Sequence, residues 1–151
     1  MYKKKSFVAI LFLSFFSFSF FTNSSSTAII AVTNAINTGI VFFTGTWEEA
    51  LVKAKAENKL IFLVIYATWC GPCKKLKTKT FTNAKVGTYF NAHFINVSLD
   101  GEIGEGFTLA EKFKLTAYPT LFFINADGNI QKGALGYYSS SEILRLAKSL
   151  K

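Results

Sequence analysis

The chain is poor in the residues from which most metal and cofactor centres are built. Its 151 residues include two cysteines, one histidine, one methionine and two prolines. A structural zinc ion takes four ligands, typically as two pairs. Cys70, Cys73 and the distant His93 do not complete such a set within one chain. No cofactor motif is present. Acidic residues are scarce, 9 against 17 Lys plus Arg. Those at Asp100, Glu102 and Glu105 are too few and too loosely spaced for a calcium loop. The formal charge of +8 suits acidic partners. Yet the lysines are scattered, with no arginine-rich face and no basic-aromatic repeat, which argues against nucleic acid. Internal repeats are also missing, and the length allows one domain and little else.

The amino terminus has its own pattern. Lys3, Lys4 and Lys5 form a basic head, Ser6 to Phe21 carry no charge, and residues 22–28 are small and polar. Seven of the 17 phenylalanines lie between Phe7 and Phe21. This three-part layout predicts a signal peptide over residues 1–28. Cleavage is expected between Ser25 and Ala35, with Ala28 as the working boundary and residues 29–37 as a linker. The alternative is an uncleaved membrane anchor, although an apolar core of 16 residues is short of the roughly 20 that a spanning helix needs. No cysteine lies near the end of that core, which excludes a lipid-modified cysteine. Removing residues 1–28 deletes three lysines and no acid, leaving a charge of 8 − 3 = +5. The predicted location is periplasmic or secreted.

Both cysteines fall in one stretch, Ala67-Thr68-Trp69-Cys70-Gly71-Pro72-Cys73-Lys74. Thiols separated by Gly-Pro can close into a disulfide with little backbone movement. At a helix start, the backbone N–H groups and the helix dipole favour a thiolate on the first sulfur. By itself the pair could be half of a zinc site, two inert cysteines or a reactive couple. A structural staple is a poor explanation, because so small a loop constrains little of the unfolded chain.

Around this stretch the elements follow from pattern. Gly39–Phe43 reads as a first strand. Thr46 and Glu49 form a capping box that opens a helix ending near Asn58. The unbroken apolar run Leu60–Tyr66 predicts a strand buried on both faces. Cys70 opens the next helix, with Pro72 in its first turn, where a missing N–H is tolerated. Lys74 lies close enough to the pair to help hold a thiolate, while Lys75, Lys77 and Lys79 read as a solvated face. Asn83–Phe90 predicts a helix and His93–Asp100 a strand, with His93 at its edge. Gly101, Gly104 and Gly106 suggest a flexible link before a short helix over Thr108–Phe113. Pro119 directly precedes the apolar strand Leu121–Ile124, and a cis Tyr118–Pro119 bond would account for it. Asn125–Asn129 is a hairpin turn with an Asp-Gly signal. Ile130–Leu135 is the last strand, and Ser139 with Glu142 opens a closing helix.

With Tyr66–Cys73 and Ala117-Tyr118-Pro119-Thr120 placed in this order, residues 38–151 resemble the thioredoxin family. The segment Gly45–Lys59 looks like the secreted or periplasmic subgroup related to the carboxy-terminal domain of transmembrane disulfide reductases. The resemblance implies an α/β thioredoxin fold: a single mixed sheet of about five strands flanked by helices. It implies a protein-disulfide reductase without cofactor, in which Cys70 is the nucleophile and Cys73 resolves the mixed disulfide. Trp69 shapes the surface, and Gly71 and Pro72 tune the two redox states. Tyr118, a cis Pro119 and Thr120 would meet the substrate. Implied partners are disulfide-containing proteins and a membrane disulfide reductase as electron donor, with the chain acting as a monomer. An oxidase or isomerase, or a non-enzymatic binding module, are the alternatives. The sequence departs from the family at two buried positions. An Asp is common six residues before the first cysteine, where this chain has Val64. A Lys that often sits across from that Asp on the next strand aligns with Asn96.

Overall fold

The computed structural model describes residues 38–150. The expected signal peptide, its anchor alternative and the linker lie outside the described residues. Five helices flank one four-stranded sheet. In chain order the elements are α1 (Trp47–Glu57), β1 (Leu60–Tyr66), α2 (Gly71–Lys75), α3 (Ala84–His93), β2 (Phe94–Asp100), α4 (Gly104–Lys112), β3 (Thr120–Ile124), β4 (Ile130–Leu135) and α5 (Ser140–Lys148). The sheet order is β2-β1-β3-β4. β1 runs parallel to β2 and antiparallel to β3, and β3 pairs antiparallel with β4.

β1 is central, and its alternation divides the core. Ile61, Leu63 and Ile65 face α1 and α4, packing with Trp47, Ala50, Ala54, Leu109 and Ala110. Phe62 and Val64 face the other layer, with Leu76, Phe81, Phe90 and Ile143. The Phe62 ring is fully buried and lies 4.7 Å from that of Phe90 and 5.1 Å from that of Phe123. A strand apolar on both sides therefore ends at Tyr66, and the chain must turn there into the cysteine segment.

Both capping boxes form, at Thr46/Glu49 and at Ser139/Glu142. α2 continues into a wider π-helical turn over Leu76–Thr80, closed by the Phe81 N–H donating to the Leu76 carbonyl at 2.9 Å. Thr80, at the end of this turn, is buried and donates its hydroxyl to the Tyr138 carbonyl.

Three expectations are corrected. Gly39–Phe43 forms no strand of the sheet, which has four strands rather than about five. The segment does run beside β2, but side chains take several of its backbone groups, and the Ile40 N–H donates to the Phe81 carbonyl at 2.7 Å, outside the sheet. The Val41 N–H donates to Asn91 Oδ1, and the Gly39 and Val41 carbonyls accept from Asn91 Nδ2 and Asn96 Nδ2. Only the Phe43 N–H reaches a β2 carbonyl, that of Asn96 at 2.7 Å. His93 ends α3 instead of edging a strand, with Nδ1 2.8 Å from the Tyr89 carbonyl and its ring stacked on Tyr89. Finally, α4 begins at Gly104 rather than Thr108. Gly106 sits inside that helix because a Cβ there would overlap the Asp100 carbonyl. Glycine here serves close packing rather than a flexible link.

A second close approach holds the amino-terminal segment. A Cβ on Gly87 would overlap the Thr38 and Gly39 backbone, and backbone cannot yield as a side-chain tip can. Gly87→Ala is expected to cost about 1–3 kcal/mol in chemical denaturation. Gly71→Ala, where a Cβ meets nothing within 4 Å, should stay within about 0.5 kcal/mol of the wild type.

Candidate active site

The site is assembled at the end of β1. Past Tyr66, the Ala67 carbonyl accepts from the Cys70 N–H at 3.2 Å, tightening the turn. Cys70 is the N-cap of α2, and Pro72 lies in the first turn. Cys70 and Cys73 are joined in a disulfide with Cα atoms 5.3 Å apart. The Cys73 N–H donates to Cys70 Sγ at 3.1 Å. When the pair is reduced, that donor would favour a thiolate on Cys70. The two cysteines are 3% and 7% exposed respectively. Access therefore does not rank them, whereas the N-cap position and the N–H donor single out Cys70.

The Tyr118–Pro119 bond is cis. Thr120 pairs with Ile65, so the cis turn emerges at the same end of the sheet as the cysteine turn. Tyr118 packs on the cluster of Ala67, Cys70 and Cys73. Pro119 is buried, and its carbonyl accepts from the Gly136 N–H at 2.8 Å. Thr120 is buried and donates its hydroxyl to the Ala117 carbonyl at 2.8 Å, so its side chain braces the turn. Among the described residues no hydrogen bond engages the Tyr118 backbone.

Trp69 is 67% exposed. It is nevertheless held: its Nε1–H donates to Glu102 Oε1 at 2.9 Å, and its ring meets that of Tyr118 edge-on at 6.1 Å. The Tyr118 hydroxyl donates to the Gly101 carbonyl at 3.1 Å. Burial, then the Glu102, Asp100 and Glu111 carboxylates, push the Tyr118 phenol above its ordinary value of 10.0. The fold favours the neutral phenol. Its contribution to stability is thus complete below pH 10.0 and is lost as the pH rises through the folded value. An ultraviolet titration should show a phenolate step above pH 10.0 that Tyr118→Phe lacks.

Beneath Cys73 lies a cavity of about 430 Å³. Val64, Ser98, Phe42 and Phe81 line it, with Thr68, Lys74 and Lys77. Directly opposite Val64 stands Ser98, while Asn96 lies opposite Phe62. The expectation that Asn96 faces Val64 is corrected accordingly: Asn96 instead ties the amino-terminal segment, donating to the Val41 carbonyl and to Asn91 Oδ1. Among the described residues no carboxylate lines the cavity.

Of the residues singled out in the sequence, Trp69, Cys70, Cys73 and Tyr118 come together, flanked by Gly71 and Pro72. Lys74 borders the cavity. Sequence reasoning missed Glu102, Ser98 and Phe42. Glu102 had a signal, an acid in a glycine-rich segment, but nothing in the sequence paired it with Trp69.

The thioredoxin-like domain model matches residues 47–151. The chain belongs to the thioredoxin-like domain family. The solution structure of a Bacteroides thetaiotaomicron protein described as a candidate disulphide-isomerase is 42% identical, with a TM-score of 0.67 over 75% of this chain and 93% of that one. The thiol:disulfide interchange protein DsbD of Yersinia pestis (strain Pestoides F) is 33% identical over 79 residues, 52% of this chain. That match spans only 13% of the length of DsbD. The oxidised carboxy-terminal domain of Neisseria meningitidis DsbD shares the fold, with a TM-score of 0.60 at 22% identity over 74% of this chain and all of that one. The chain thus has a thioredoxin-like thiol–disulfide oxidoreductase fold carrying a redox-type cysteine pair.

Proposed function

We propose that the protein reduces disulfides of other proteins outside the cytosol, with residues 1–28 as its export signal. The observation that carries this reading is the Cys70–Cys73 pair, with the Cys73 N–H aimed at the Cys70 sulfur. In the forward direction the Cys70 thiolate attacks a substrate disulfide. A bond forms from Cys70 to one substrate sulfur, and the other leaves as a thiolate that takes up a proton. The Cys73 thiol then loses its proton and attacks Cys70. The second substrate thiolate departs, and two electrons have passed to the substrate as the Cys70–Cys73 disulfide closes. The free backbone of Tyr118 suits strand-like pairing with the bound peptide.

A reductant in that location needs an electron source. A membrane disulfide reductase fits that role. The Gly-Pro pair between the cysteines is the type found in reducing members of the family. Equilibration with glutathione should give a potential near that of thioredoxin, about −270 mV. A value well above that of the glutathione couple would instead mark an oxidase or isomerase, the direction in which the Bacteroides relative's description points.

The step from Cys73 has no carboxylate to receive its proton. Val64 is 2% exposed and shares the cavity with Cys73. In Val64→Asp a carboxylate would act as general base, and resolution of the mixed disulfide should quicken by up to about a hundredfold. The same variant should be less stable, because the new charge is buried. Stopped-flow measurement of the second step against pH checks this.

A further inference from the structure

The surface next to Trp69 is apolar and acidic at once, although the chain as a whole is basic. Ile103 is 67% and Phe107 is 53% exposed. They lie one turn apart, the Phe107 N–H donating to the Ile103 carbonyl at 3.1 Å. The inward face of α4 is carried by Gly106, Leu109 and Ala110, so the fold does not use either side chain. Ile103 also occupies the N-cap of α4, where it makes no capping hydrogen bond. Ser, Thr, Asp or Asn at that position would cap the helix, so local stability does not explain the isoleucine.

Continuity with the cysteine site runs through Glu102, adjacent to Ile103 and bonded to the Trp69 indole at 2.9 Å. The charge is one-sided. Between Lys85 and Lys112 there is no Lys or Arg, while Asp100, Glu102, Glu105 and Glu111 all fall there. After burial, the carboxylates of Glu102, Asp100 and Glu111 are what raise the phenol of Tyr118, so their field reaches the loop that would meet a peptide. Across the cysteines, Lys74 and Lys77 border the cavity.

We infer that Trp69, Glu102, Ile103 and Phe107 form a docking surface for a protein whose reactive disulfide is flanked by an apolar side chain next to a lysine or arginine. The apolar residue is covered by Ile103 and Phe107, and the cation meets Glu102 and Asp100. This rests on the proposed exchange reaction at Cys70. A surface of this kind selects among protein disulfides and contributes nothing to small ones.

The test uses the reduced full chain and three disulfides: neutral hydroxyethyl disulfide, and two disulfide-linked peptides differing only in Leu-Lys or Leu-Glu beside the cysteine. Reaction with hydroxyethyl disulfide reports the exchange chemistry alone, and its absence sinks the proposed function rather than the surface. Divided by that rate, kcat/KM for the Leu-Lys peptide should exceed that for the Leu-Glu peptide by about tenfold. The difference should sit in KM and collapse in 1 M salt, where the Debye length is about 3 Å. Glu102→Gln keeps an acceptor for the Trp69 indole and should remove most of the preference. Phe107→Ser should lower the normalised kcat/KM for both peptides. Equal rates for the two peptides with the wild type, or an undiminished preference in Glu102→Gln, would overturn the inference.

Discussion

Cys73→Ser is expected to turn a catalyst into a trap. The first attack needs only the Cys70 thiolate, which keeps its place as N-cap of α2 and its N–H donor from residue 73. The second attack has no sulfur left to make it. Multiple turnover on a protein disulfide should fall by roughly a thousandfold or more. The enzyme should accumulate as a covalent adduct through Cys70, seen on a non-reducing gel and located by mass spectrometry. Cys70→Ser should lose the same turnover and form no adduct. The contrast has force because the two cysteines are almost equally covered, at 3% and 7%. If access governed the order of attack, the two variants would trap alike. Preference for Cys70 must then come from the helix start and the Cys73 N–H. Carried out in the native host, the same trap would name the partner.

The largest effect on stability is expected at Phe62. Its side chain is fully buried on the face of β1 that meets α3 and α5. The rings of Phe81, Phe90 and Phe123 surround it at 6.1, 4.7 and 5.1 Å. Those rings belong to three separate parts of the chain and cannot all collapse inward together. Phe62→Ala should therefore cost about 3–5 kcal/mol in urea or guanidinium unfolding. Against a typical total of roughly 5–15 kcal/mol, that loss leaves the fold marginal. The redox step itself does not touch Phe62, so residual folded protein should still form the Cys70–Cys73 disulfide. An unchanged unfolding midpoint would mean that this layer of the core is not packed as described.

How far the molecule could be read from its sequence varied with the kind of signal. Leu60–Tyr66 was legible because a strand covered by helices on both faces carries no polar alternation. The cysteine turn followed from it, since Pro72 and Cys70 mark a helix start directly after the strand. The cis bond before Pro119 was legible from a proline placed against a buried strand. Gly39–Phe43 was misread for a physical reason: its β-branched and aromatic residues suit a ladder, but Asn91 and Asn96 supply side-chain partners instead. A reading of local propensity does not see a bond that spans 50 residues. Gly104 and Gly106 suggested a link because glycine serves flexibility, left-handed backbone and close packing alike; Gly104 takes a φ of +53°, and at Gly106 only the position of the Asp100 carbonyl shows that close packing is the reason. The register of β1 against β2 was likewise hidden, so Ser98 rather than Asn96 faces Val64. The Glu102–Trp69 bond depends on how two loops meet at the end of the sheet.

In the proposed function Cys70 and Cys73 together move electrons to a protein disulfide. Its most direct test is insulin reduction by the purified protein with dithiothreitol supplied as electron source. Turnover well above the dithiothreitol background is expected, with its loss in Cys70→Ser. Wild-type protein no faster than that background, or Cys70→Ser as fast as the wild type, would contradict it.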